Sequence, residues 1–135
     1  MEDYLRPRLN DGLNEISVLG LAHIGDAVFE LMVRTWLCTQ GALNAKRLHS
    51  ETVAYVSAKA QAAAASQLLR ELTDEEKAVF KRGRNAHVNS FPRTSTYEQY
   101  HTATGIEALI GFLYLKGETD RLGELFEMII KNNSK

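Results

Sequence analysis

An acid inside an apolar helix is the feature that most narrows what this chain can become. From Ile16 to Cys38 the sequence is almost continuously apolar, and Asp26 stands in the middle of it, in Gly20-Leu-Ala-His-Ile-Gly-Asp-Ala-Val-Phe-Glu30. A second acid repeats the setting: Glu107 lies in Thr104-Gly-Ile-Glu-Ala-Leu-Ile-Gly-Phe-Leu-Tyr-Leu115. An ionised carboxylate removed from water is costly unless it is paired, neutralised or bound to a metal. Each acid is flanked by small residues: Ala22, Gly25 and Ala27 around Asp26, and Ala103, Gly105, Ala108 and Gly111 around Glu107. Helices with such faces can approach closely and bring both carboxylates to one point. Paired carboxylate oxygens select a hard cation, and Mg²⁺ takes one or two carboxylates while keeping its waters for a phosphate.

The bland alternative is that each acid serves a helix N-terminus or a basic partner, for which Arg34 and Lys116 are available. His23, three residues before Asp26, offers a rival His-x-x-Asp pair. The chain lacks the second acid–histidine motif that a di-iron site needs. Glu30, one turn beyond Asp26, either serves as a base or faces solvent.

The apolar spacing predicts an all-α architecture of five or six helices, in one domain spanning 1–135. A helix from Ser17 to Gln40 ends at Gly41. Its stripes Leu21, Ile24, Val28, Leu31 and Leu19, Ala22, Phe29, Val33, Trp36 suggest a central helix packed all round, in which Cys38 is a buried, inert thiol. A helical stretch covers Ala45 to Leu72, alanine-rich in its middle. Thr73-Asp-Glu-Glu76 is a capping box that opens a short helix to Arg84. Residues 85–96 form the longest irregular segment. Two more helices run over Tyr97–Lys116 and Thr119–Asn132. Nothing alternates with period two for long enough to make a strand, and residues 1–14 read as a polar arm with a little helix.

With 16 basic against 17 acidic residues the net charge is −1, so nucleic-acid binding must come from local patches. One such patch is Lys81-Arg-Gly-Arg-Asn85, followed by Arg93. A basic cluster interrupted by glycine can present several donors to adjacent phosphates, though a basic helix end also simply complements the helix dipole. One cysteine excludes a disulfide framework and a cysteine zinc site. The N-terminus lacks a signal peptide, and no run reaches a membrane span, so a soluble, cytoplasmic protein is expected.

These motifs resemble the ribonuclease III family. The stretch around Asp26 is similar to its signature and the stretch around Glu107 to its second acidic motif. Val56-Ser-Ala-Lys-Ala-Gln61 and Arg82-Gly-Arg-Asn-Ala86 add a likeness to the Mini-ribonuclease III branch, which consists of the catalytic domain alone. The resemblance implies a helical-bundle endonuclease domain acting as a homodimer. It implies Mg²⁺-dependent cleavage of double-stranded RNA, with Mn²⁺ as a substitute, leaving 5′-phosphate and 3′-hydroxyl ends, and a role in maturing the large-subunit (23S) ribosomal RNA precursor. Asp26 matches the catalytic aspartate and Glu107 the metal-binding glutamate. Lys59, Lys81, Arg82, Arg84, Asn85 and Arg93 would grip the RNA. With no separate double-stranded-RNA-binding domain in the sequence, a large-subunit ribosomal protein or the folded precursor would supply specificity.

Two of the four acids of the larger relatives are replaced, by Ala22 and Thr104. That favours one tightly held ion, with a second entering alongside the RNA phosphate. It also motivates the alternative of a non-catalytic RNA-binding or ribosome-assembly module.

Overall fold

The computed structural model describes residues 3–41, 43–86 and 95–133. After a 3₁₀ turn at Leu13–Glu15 come six helices: α1 (Val18–Gln40), α2 (Ala45–Val56), α3 (Ala58–Leu69), α4 (Asp74–Arg84), α5 (Tyr97–Lys116) and α6 (Thr119–Asn133). There is no strand among the described residues, as the periodicity predicts.

The ends follow from side-chain capping of orphan backbone groups. The Ser17 hydroxyl accepts from Gly20 N–H at the start of α1. Thr73 and Glu76 form the expected capping box of α4. Thr96 and Gln99 form another at the start of α5, and Gly117 closes α5 at φ 83°. That left-handed conformation is one that L side chains resist.

The central helix is α5, not the 17–40 helix expected from the apolar run. Around its circumference α5 buries Ala103, Gly105, Ile106, Leu109, Ile110 and Leu113, and α1, α3, α4 and α6 all pack on it. By contrast α1 buries one stripe, Leu21, Ala22, Gly25, Phe29, Val33 and Leu37. Leu19 and Leu31 are exposed, Leu31 by 59%. Cys38 is also exposed, because it falls on the uncovered side of α1 rather than in the core.

The expected single helix over 45–72 is broken at Ser57. Its extended backbone (ψ 151°) ends α2, and its hydroxyl caps α3 by accepting from Ala60 N–H. A serine that satisfies its own backbone neighbours competes with helix continuation, and the alanine-rich sequence on its C-terminal side conceals the break. The main core joins Phe29 and Val33 of α1 to Leu68, Phe80, Ile106, Leu109, Leu125 and Ile129. Beside it, buried Glu76 accepts from Arg121 Nε and Nη2, both at 2.8 Å, which ties α4 to α6. These bonds hold the Glu76 carboxyl below its usual range.

Candidate functional site

Where α1 crosses α5 the backbones nearly touch. A Cβ on Gly25 would lie 1.7 Å from the Glu107 carbonyl oxygen, and one on Gly111 would lie 1.9 Å from the Leu21 carbonyl oxygen. Only glycine permits that approach, and it decides the site. Asp26 follows Gly25 directly, so the contact sets its carboxyl within hydrogen-bonding reach of Glu107. The two acids picked out in the sequence therefore meet.

Their surroundings differ from the sequence expectation. Asp26 is exposed rather than buried, while Glu107 is half-buried. Burial, and after it the negative charge of Asp26, push the Glu107 carboxyl from 4.5 up to about 8; the Gln61 amide acts in the opposite direction. The proposed basic partners are engaged elsewhere: Arg34 with Glu30 at 2.8 Å and Lys116 with Glu75 at 2.8 Å. Glu30 is thus held in a surface ion pair. His23 turns to a groove beside α1. Of the positions that bear acids in larger relatives, Ala22 is buried, and the buried Thr104 hydroxyl donates to the Tyr100 carbonyl, so neither adds a ligand.

Among the described residues no three histidines, cysteines or acids cluster as metal ligands. The donor set is two adjacent carboxylates. Hard oxygen donors, a mutual repulsion that a divalent cation would relieve, and access to solvent through Asp26 together fit Mg²⁺, which keeps several waters.

The raised Glu107 value has a testable consequence. In metal-free buffer the protonated form is favoured by folding, so this contribution is fully present below about 4.5 and is lost as pH rises toward about 8. Glu107→Gln is expected to remove that slope. Its melting temperature in EDTA should match wild type near pH ~4 and exceed it near pH ~8, by roughly 3–5 °C per kcal/mol of relieved burial cost. Parallel melting curves for the two proteins across this range would contradict it.

The basic cluster is carried by a helix packed on α5, the helix that bears Glu107. Gly83 of α4 packs on α5, where an added Cβ would lie 2.8 Å from Ala108 Cβ and 2.9 Å from Gly105 Cα. Ala108 is the neighbour of Glu107. This seats the end of α4 on α5 and leaves Lys81, Arg82, Arg84 and Asn85 exposed. Lys59 is exposed in the first turn of α3. Arg93 and most of the 85–96 segment lie outside the described residues. Sequence reading missed two further cations: Arg70 and Lys77 join Lys81 and Arg84 around a groove of about 360 Å³. Arg70 comes from the end of α3, so no run of charge announces it, while Lys77 shares a face of α4 with Lys81 and Arg84 at helical spacing. Gln61 was missed as well. Its Nε2 donates to Glu107 Oε2 at 3.3 Å and to the Val56 carbonyl at 3.0 Å.

The exposed side of α1 carries an apolar groove of about 490 Å³, lined among others by Tyr4, Leu5, Ile24, Val28 and Leu31. No helix among the described residues is long and apolar enough to cross a membrane.

Comparison with known proteins places these features in context. Residues 19–118 match the family model described as the ribonuclease III domain. The chain is 43% identical to a Mini-ribonuclease 3 of Thermoanaerobacter, over 90% of this chain and 85% of that protein. To a Mini-ribonuclease 3 of Enterococcus faecalis it is 40% identical, over 87% and 90%. A crystal structure of a protein from Fusobacterium nucleatum superposes with a TM-score of 0.82 at 32% identity, covering 90% of this chain and 98% of that one.

Proposed function

The chain belongs to the ribonuclease III family, and from that premise we propose that residues 1–135 act as one Mg²⁺-dependent endonuclease domain that cuts double-stranded RNA to 5′-phosphate and 3′-hydroxyl ends. The observation that carries this reading is the meeting of Asp26 and Glu107 at the Gly25 contact. These two residues would hold the ion, with Mn²⁺ able to replace Mg²⁺. When bound, such an ion activates water and neutralises charge on a phosphoryl group. Asp26 is the acid open to solvent and so to the RNA. Glu107 is the more buried acid, hydrogen-bonded by Gln61.

Lys81, Arg82, Arg84 and Asn85, exposed on a helix packed against α5, grip phosphates of the same duplex, with Lys59 and Arg93 extending the grip. Duplex RNA is read through shape, phosphates and 2′-hydroxyls, so binding should weaken steeply with salt.

A second copy of the chain covers the apolar groove on α1. An exposed apolar patch of this kind marks an interface, and Ile24, Val28 and Leu31 of its lining sit on the same helix as Asp26. A two-fold contact there sets two sites on one duplex, one for each strand. Leu31→Glu is therefore expected to shift the protein from dimer to monomer by sedimentation, while its melting temperature changes little. An unchanged sedimentation coefficient would remove this face from the dimer.

The cellular substrate in this reading is the large-subunit (23S) ribosomal RNA precursor, processed in the cytoplasm with a large-subunit ribosomal protein contributing specificity. The test is incubation with duplex precursor RNA. Wild type should cut the duplex and spare single strands. Cutting should stop in EDTA and return with Mg²⁺ or Mn²⁺. Tight RNA binding without cutting in either ion would instead indicate a non-catalytic RNA-binding or ribosome-assembly module.

A further inference from the structure

Among the described residues Gln61 is the one buried side-chain amide, and its bonding is lopsided. It is 1% exposed. Both hydrogens of Nε2 are used, one on the Val56 carbonyl at 3.0 Å and one on Glu107 Oε2 at 3.3 Å. Its Oε1 is buried with no hydrogen-bond partner among the described residues. A buried acceptor without a partner opposes folding, and an apolar side chain of the same size would avoid it. The amide is thus oriented for its donor side alone.

The two acceptors explain that choice. Val56 ends α2, and its carbonyl is one of the groups left over where Ser57 breaks the helix. The Gln61 side chain takes up that carbonyl and spans to Glu107 on α5. One amide thereby fixes the α2–α3 break and the carboxylate to each other. Asp26, the other acid, is exposed and set by the glycine contact. Glu107 needs a separate restraint, because its long side chain has rotamers that the backbone contact does not choose.

We propose that Gln61 is a positioning residue that holds the Glu107 carboxylate in the orientation in which it takes up the divalent ion. The inference rests on the two-carboxylate metal site proposed above. Groups that orient metal ligands by hydrogen bonding typically change metal affinity 10- to 100-fold when lost.

The test compares wild type, Gln61→Met, Gln61→Asn and Thr73→Ala. Methionine keeps the volume and removes the donor. Asparagine keeps an amide but is one methylene too short to span both acceptors, and it serves if the methionine variant does not fold. Thr73→Ala lowers stability through the α4 cap, away from the site. Two quantities are measured: the rise in melting temperature produced by Mn²⁺, and the Mn²⁺ concentration giving half-maximal cleavage of duplex RNA.

The Gln61 variants are expected to need about 10-fold more Mn²⁺ for both effects, with the cleavage rate at saturating Mn²⁺ within about 3-fold of wild type. Thr73→Ala should need no more Mn²⁺ than wild type. Wild-type Mn²⁺ requirements in both Gln61 variants, or an equal rise in Thr73→Ala, would overturn the positioning role. If wild type itself shows neither Mn²⁺ stabilisation nor Mn²⁺-dependent cleavage, the metal-site reading falls and this inference with it.

Discussion

Asp26→Asn is expected to fold as wild type does and to lose cleavage of duplex RNA by at least about 10³-fold, equivalent to roughly 4 kcal/mol of transition-state stabilisation. The fold should tolerate the change because Asp26 is exposed and makes no ion pair among the described residues. Its charge is also unfavourable to Glu107 in the metal-free protein, so asparagine should leave stability in EDTA equal or slightly higher. Activity should not tolerate it, because removing one of two carboxylates halves the charge available to a divalent ion. Cleavage kinetics in Mg²⁺, with circular dichroism as the control for folding, separate these effects. A variant that cuts within a few-fold of wild type would remove Asp26 from the chemistry.

Gly25→Ala is expected to have the largest effect on stability of any single-methyl change in the protein. The added carbon would sit 1.7 Å from the Glu107 carbonyl oxygen and 2.8 Å from the Gly111 nitrogen. Both are backbone atoms, so no side chain can swing aside, and α1 must move off α5. Overpacking a core ordinarily costs about 1–3 kcal/mol. Separating a helix from the centre of the bundle should exceed that, which would lower the melting temperature by more than about 10 °C.

Whatever folded protein remains should also lose cleavage, since the same movement parts Asp26 from Glu107. Gly123→Ala in α6 provides the contrast. A Cβ there meets nothing within 4 Å, so helix propensity alone should raise stability by about 0.5–1 kcal/mol. Similar melting temperatures for the Gly25→Ala variant and wild type would show that the close crossing does not exist in solution.

The two acids and the helix ends were legible in the sequence for the same reason: each is a local conflict with a visible resolution. Asp26 and Glu107 interrupt apolar runs, and the small residues around them announce a close crossing. Ser17, Thr73 with Glu76, and Gly117 carry their capping chemistry in the residue itself. What the sequence did not disclose depends on which faces are covered. α1 and α5 are both apolar over most of their length, yet only α5 is enclosed. The exposure of Leu31, Cys38 and Asp26 follows from that arrangement and not from their neighbours in sequence. Ser57 was hidden because its alanine-rich C-terminal flank favours an unbroken helix. Gln61 and Arg70 have no period or run to mark them. Their roles arise from partners on other helices, such as Glu107 across 46 positions.

The claim on which the functional reading stands is that Asp26 and Glu107 hold one divalent ion between them. Calorimetric titration of Mn²⁺ into wild type, Asp26→Asn and Glu107→Gln, without RNA, tests it most directly. The account predicts one tightly bound ion per chain in wild type, with that binding event lost or weakened by at least about 10-fold in each variant. An ion bound with unchanged affinity in either variant would contradict it.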